Sequence, residues 1–208
     1  LINILMSEDK VGFREVKTIL LGDSGVGKTS IINRYVNNRF NPDLPSSLCS
    51  SSNEVEIIKD DINYKLIIWD TSGQEVYHSL TNLFIKGSNI VILTYAVNSL
   101  SSFEGLKYWH KSLVDNIGAN NYVLAVVGSK MDLVNEEVVT EEQGKEFADE
   151  KNAIFKLVSA KENSKGIHEL FDLLLEELIE KFPNYDENKS YNYNPKKKIG
   201  KKKKRHCC

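Results

Sequence analysis

The sequence predicts an α/β domain: a six-stranded, mostly parallel sheet flanked by about five helices. Three observations lead there. Short β-branched runs alternate along the chain with segments whose apolar residues recur at helical spacing, the order of strand and crossover helix. Only one neighbouring pair of runs, 54–60 and 64–70, is joined by a turn short enough for a hairpin, so that pair alone is expected to be antiparallel. A chain of 208 residues with 41% hydrophobic and 27% charged residues is long and apolar enough for one domain with a core of its own.

Taken in order, VKTILLG (16–22) is the first strand and KTSIINRYVNN (28–38) the helix that follows it. FNPDLPSSLCSSSN (40–53) holds two prolines and five serines and reads as a long polar loop. EVEIIKD and YKLIIWD form the hairpin around DDIN, and NIVILTYAV (89–97) and YVLAVVG (122–128) are buried strands. SSFEGLKYWHKSLVDN (101–116) is an amphipathic helix capped by Ser101 or Ser102, with Tyr108 and Trp109 as packing residues. TEEQGKEFADE is another helix, AIFKLVS the last strand and GIHELFDLLLEELIEKF the closing helix. Residues 1–15 are expected to be a flexible leader, 16–182 the folded domain, and 183–208 a disordered tail, because periodicity stops at Pro183.

The net charge of −2 conceals an asymmetry. Residues 196–205 contain eight Lys or Arg, leaving 19 basic against 29 acidic residues elsewhere, a net of −10. So acidic a body is a poor partner for nucleic acid, whereas the basic tail suits an anionic surface. Cys49, Cys207 and Cys208 make no disulfide framework, which points to a reducing compartment. No apolar run reaches the roughly 18 residues of a membrane span, and LINILMSEDK lacks the basic flank of a signal peptide. His78, His110, His168 and His206 lack metal-ligand spacing.

Chemistry is concentrated in three stretches. GDSGVGKTS matches the phosphate-binding pattern G-x-x-x-x-G-K-[ST] between a strand and a helix. The backbone N–H groups of Ser24, Gly25, Val26, Gly27, Lys28, Thr29 and Ser30 are candidates to cradle phosphate, with the Lys28 ammonium on the β- and γ-phosphates and the Thr29 hydroxyl on Mg²⁺. LIIWDTSGQE places Asp70 at a strand end as a metal-side carboxylate. Gly73 follows, where its N–H can approach a γ-phosphate, and then Gln74, polar and uncharged, to orient an attacking water. VVGSKMDL offers the aliphatic stem of Lys130 and the carboxylate of Asp132 to a purine.

GDSGVGKTS, WDTSGQE, KMDL and VSAK, in this order, resemble the small GTPases of the Ras superfamily over residues 16–182. SLSSFEGLKYW and the two cysteines after a basic tail are similar to the Rab branch. The resemblance implies the P-loop small-GTPase fold, binding of Mg²⁺ with GTP or GDP, slow hydrolysis of GTP to GDP and phosphate, and a switch serving vesicle traffic. It implies a guanine site of Ser129, Lys130 and Asp132 with Ser159, Ala160 and Lys161, in which Asp132 reads the ring N–H and exocyclic amine and the Ala160 N–H meets the guanine oxygen. It also implies Ser47 as the switch hydroxyl that joins Thr29 and Asp70 at the metal. Its partners would be a nucleotide exchange factor, a GTPase-activating protein, an escort or GDI-type chaperone, and effectors. A monomer is expected, cycling between cytosol and the cytoplasmic face of an intracellular membrane through lipids on Cys207 and Cys208.

The sequence departs from the family pattern at five places. Ser129 replaces asparagine, Ser47 threonine, Ser72 alanine and Ala96 a frequent aspartate, while LCSSS stands where partners usually read the loaded state. Ser129 and the serine-rich loop favour an alternative reading, a nucleotide-loaded or weakly loaded scaffold with little hydrolysis; Lys28, Thr29 and Gln74 favour the enzyme. For the lysine run, a nuclear localisation patch is the rival of a membrane anchor, but it leaves the paired terminal cysteines unexplained.

Overall fold

The computed structural model describes residues 13–44, 51–71, 83–119, 121–162 and 164–183. One sheet contains β1 (Arg14–Leu21), β2 (Ser51–Lys59), β3 (Ile62–Asp70), β4 (Ile90–Ala96), β5 (Val123–Ser129) and β6 (Ile154–Val158), in the spatial order β2-β3-β1-β4-β5-β6. β2 and β3 pair antiparallel and every other pair is parallel, as the connection lengths require. The hairpin turns on Asp60 and Asp61, with φ of 50° and 60°. Two successive left-handed residues match the twist of the strands, and aspartate tolerates that conformation better than most side chains.

The strand β2 begins at Ser51, inside the stretch expected to be loop. Serine is a poor strand former, but Ser51 and Ser52 pair with Asp70 and Trp69 of β3, and pairing overrides the local preference. β4 and β5 are buried along their whole length, which is why both read as continuous apolar runs.

Among the described residues there are four longer helices, α1 (Lys28–Asn37), α2 (Leu100–Ile117), α3 (Glu141–Asp149) and α4 (Lys165–Lys181). A 3-10 turn at Val134–Glu136 and a helical stretch at 83–85 accompany them. Ile31 and Tyr35 of α1 and Leu170, Phe171 and Leu174 of α4 cover one face of the sheet over Leu20, Leu66, Ile92 and Val127. Leu106, Trp109 and Leu113 of α2 and Phe147 of α3 cover the other over Ile19, Leu93 and Val126. The Tyr35 and Phe171 rings stack with centroids 3.9 Å apart and lock α1 to α4. No described helix is long and apolar enough to cross a membrane.

The cap of α2 is Ser99, neither Ser101 nor Ser102: its hydroxyl accepts from the Ser102 N–H at 3.3 Å. The Ser102 hydroxyl is buried instead, donating to the Ser99 carbonyl and accepting from the Ala96 N–H, so it ties the helix start to the end of β4. In α3, Thr140 and Gln143 form a reciprocal capping box. The parallel strands end at a common edge, and β1 has β3 on one side and β4 on the other. The segment after β1 therefore opens at the point where strand order reverses, the usual crevice of an open α/β sheet.

Candidate functional site

The loop from Gly22 to Lys28 fills that crevice. Gly22 has φ of 146°, and a Cβ there would stand 2.1 Å from the Thr94 carbonyl oxygen, so no larger residue fits where β1 leaves the sheet beside β4. Gly27, at φ 101°, is the N-cap of α1 and brings no side chain to cap the helix. The N-terminus of this ten-residue helix presents backbone donors and the positive end of its dipole to an anion. The Lys28 side chain crosses the loop, Nζ donating to the carbonyls of Gly22 and Asp23 at 2.7 Å each. Burial lowers its pKa to about 8, against the opposing pull of the Asp70 and Asp23 carboxylates.

The register that sets Asp70 beside Leu20 brings the end of β3 to the start of α1. Thr29 Oγ1 donates to Asp70 Oδ2 at 2.7 Å, and Asp70 is buried. Thr71 Oγ1 donates to the Leu20 carbonyl at 2.6 Å and ties the residue after β3 to the end of β1. A hydroxyl against a buried carboxylate beside a phosphate-type loop fits Mg²⁺, which takes oxygen ligands and uses few from protein when phosphates supply the rest.

The other half of the crevice is built at the ends of β5 and β6. Ser129 is buried, and its hydroxyl proton lies between two carbonyls, that of Val26 in the loop and that of Tyr95 at 2.9 Å. Lys130 follows with φ of 61°. Asp132 Oδ1 accepts from the Ser159 hydroxyl at 2.7 Å, while Lys161 Nζ lies 3.7 Å from Oδ2. Ser159 Oγ in turn accepts from the Glu162 N–H at 3.1 Å, so its orientation toward Asp132 is fixed from both sides. The carboxylate is thereby aimed by a hydroxyl donor on one oxygen and a cation near the other, and can accept from a ligand.

One cleft of about 490 Å³ collects these parts. Ser24, Gly25, Gly27, Lys28, Thr29, Ser30, Ser129, Lys130, Asp132, Ala160 and Lys161 line it, with Phe40, Pro42 and Leu44 at its rim. Val26 and Ser159 lie behind the lining, where they hold Ser129 and Asp132. Ser47, Gly73, Gln74, Cys207 and Cys208 fall outside the described residues, as do His78, His206 and Cys49.

Sequence reasoning missed the supports of the loop. Trp109, expected only to pack, donates its indole N–H to Asp23 Oδ1 at 2.8 Å. Gly105 leaves room for that carboxylate, since a Cβ there would be 2.8 Å from Asp23 Oδ2. Arg34 also went unnoticed, although it reaches the loop after β6. The phosphate-loop pattern leaves the position of Asp23 free, so spacing carried no signal for its partner.

Comparison with known proteins agrees with this geometry. The family model described as the Ras family matches residues 17–180. The chain is 38% identical over 168 residues to human Ras-related protein Rab-17, covering 81% of this chain and 78% of that protein. It is 36% identical over 178 residues to Ras-related protein Rab-22A of Canis lupus familiaris, covering 86% and 89%. With Ras-related protein RabC of Dictyostelium discoideum it shares 38% over 164 residues, covering 78% and 83%. A phosphate loop at the sheet's switch point, a base-side carboxylate on the loop after β5 and a match along the whole folded region lead to one conclusion: the chain belongs to the Ras family and is a Rab-type small GTPase.

Proposed function

We propose that this protein is a guanine-nucleotide switch of membrane traffic that binds Mg²⁺ with GTP or GDP and hydrolyses GTP slowly. The observation that carries this reading is the convergence in one cleft of Lys28, the Thr29–Asp70 pair and the Asp132 carboxylate held by Ser159. Lys28 would attract the β- and γ-phosphates, with the N–H groups of residues 24–30 around them. Asp132 accepts the two N–H donors that guanine presents and adenine lacks, and Ala160 supplies an N–H to the 6-oxo group. Thr29, Asp70 and Ser47 would hold Mg²⁺, which when bound offsets phosphate charge. Gly73 closes on the γ-phosphate and Gln74 orients the water that attacks it, without acting as a strong base. No arginine is assigned to the γ-phosphate from within the chain, so rapid turnover calls on a GTPase-activating protein in trans.

Rab-type relatives support the same cycle for this chain: an exchange factor loads it, effectors read the GTP form, and an escort or GDI-type chaperone carries it through the cytosol. Lipids on Cys207 and Cys208, beside the eight basic residues of 196–205, would hold it on the cytoplasmic face of an intracellular membrane.

The test is to identify the nucleotide that co-purifies with the full chain and to follow GTP consumption with Mg²⁺, in the parent and in Gln74→Leu. Guanine nucleotide in the purified protein, and hydrolysis that Gln74→Leu abolishes without loss of GTP binding, are the expected results. Retention of GTP with no turnover in the parent would favour the scaffold reading, and a preference for adenine nucleotide would overturn both.

A further inference from the structure

Arg34 lies in the last turn of α1, the helix whose first residues are Lys28 and Thr29. Its guanidinium spans two structural elements. Nε donates to the Ala160 carbonyl at 2.6 Å and Nη2 to the Lys161 carbonyl at 3.2 Å, while Nη1 donates to the carbonyl of Asn38, the C-cap of its own helix, at 3.0 Å. Three donor nitrogens in one plane let the guanidinium reach two separate elements at once, whereas an ammonium donates from a single point. The loop after β6 is thus pinned on both sides of one peptide: Ser159 is bound to Asp132 before it, and Ala160 and Lys161 are bound to Arg34 after it. Peptide groups are rigid, so fixing both flanks leaves the Ala160 N–H little freedom of direction. That N–H carries extra weight here, because the Ser129 hydroxyl already spends its proton on Val26 and Tyr95 and has none for the acceptors on a purine edge.

We propose that Arg34 is a specificity-positioning residue that aims the Ala160 N–H at the 6-oxo group of the base and couples the base loop to the helix holding the phosphates. The inference rests on the guanine-site reading above.

The test measures affinities of the full chain and of Arg34→Ala and Arg34→Lys for three diphosphates in Mg²⁺: GDP, inosine diphosphate and 2-aminopurine riboside diphosphate. The first two carry the 6-oxo group and the third lacks it. Arg34→Ala is expected to weaken GDP and inosine diphosphate about tenfold each while changing the 2-aminopurine nucleotide by less than about twofold, tenfold being about 1.4 kcal/mol. Arg34→Lys, whose one nitrogen cannot reproduce donors spread over the base loop and the Asn38 carbonyl, is expected to lose part of the same discrimination, and it serves as the test if Arg34→Ala does not fold. Equal weakening of all three nucleotides, or of none, would overturn the inference. Should the parent itself fail to prefer GDP over the 2-aminopurine nucleotide, the guanine reading fails; if the parent discriminates and both variants discriminate equally well, only the role of Arg34 fails.

Discussion

The hydroxyl of Ser129, at the end of β5, donates to the carbonyl of Val26 in the phosphate loop. The serine thus keeps one of the two tasks that the family pattern gives to asparagine, tying the base side of the cleft to the phosphate side. Its single proton cannot also serve a purine acceptor. Ser129→Asn brings two amide protons, so GDP release is expected to slow by about tenfold, one decade per 1.4 kcal/mol. Ser129→Ala instead strands buried carbonyls at a cost of about 1–3 kcal/mol, lowering the melting temperature and speeding release. Off-rates of a labelled GDP decide both, and an unchanged rate in Ser129→Asn would mean that a water already supplies the missing bond.

Lys28 makes nucleotide binding sensitive to pH. Burial lowers its pKa from 10.5 to about 8, and phosphate oxygens favour the charged form, so the pKa rises on binding. At pH 8 the nucleotide-free lysine is about half protonated, so its own contribution to GDP binding should be an uptake of about half a proton; at pH 6, where it is already charged, that contribution vanishes. The sign for stability follows from the same values. Between about 8 and 10.5 the unfolded chain holds a proton that the folded, nucleotide-free chain has lost, so stability rises with pH across that window. Calorimetry in two buffers of different ionisation enthalpy measures the uptake, and no uptake at pH 8 would show the lysine already fully charged.

Asp132 should decide which base enters. Asp132→Asn turns an acceptor into a donor, so xanthine diphosphate should gain affinity while GDP loses it. Ser159→Ala removes the 2.7 Å bond that aims the carboxylate without changing its charge, and should weaken GDP by about tenfold with no gain for xanthine diphosphate. Competition binding separates the two variants, and retained guanine preference in Asp132→Asn would remove Asp132 from the base site.

How much of this was legible beforehand depended on the range of the interaction. β4 and β5 stood out because both faces of each are covered, which forces an unbroken apolar run. The turn at Gly22 and Gly27 stood out because local backbone geometry demands those residues. The cap of α2 was misplaced because Ser99, Ser101 and Ser102 all qualify locally, and the choice is made by the bond from Ser102 to Ala96 of β4. Trp109 meets Asp23 across 86 positions, and Arg34 meets Ala160 across 126. Such pairs exist only once the sheet order is known, and no spacing announces them.

The Trp109–Asp23 pair should act on nucleotide release through the loop it steadies. Asp23 contributes its carbonyl to Lys28 and its carboxylate to the indole N–H, so one residue is held by the phosphate-binding lysine and by α2. Trp109→Phe keeps a ring in the core but removes the donor to a charged acceptor, an interaction of about 1.5–3 kcal/mol. GDP release is expected to speed up about tenfold, one decade per 1.4 kcal/mol. Gly105→Ala should act in the same direction, because its Cβ would crowd the carboxylate. A purely structural effect of losing the tryptophan would persist in an Asp23→Asn background, whereas loss of this one bond should be smaller there, since the acceptor is no longer charged. A double-mutant cycle on release rates therefore reads the pair directly, with a coupling of about 1–2 kcal/mol expected between contacting residues. Additive effects of the two substitutions would return Trp109 to the role of a packing residue alone.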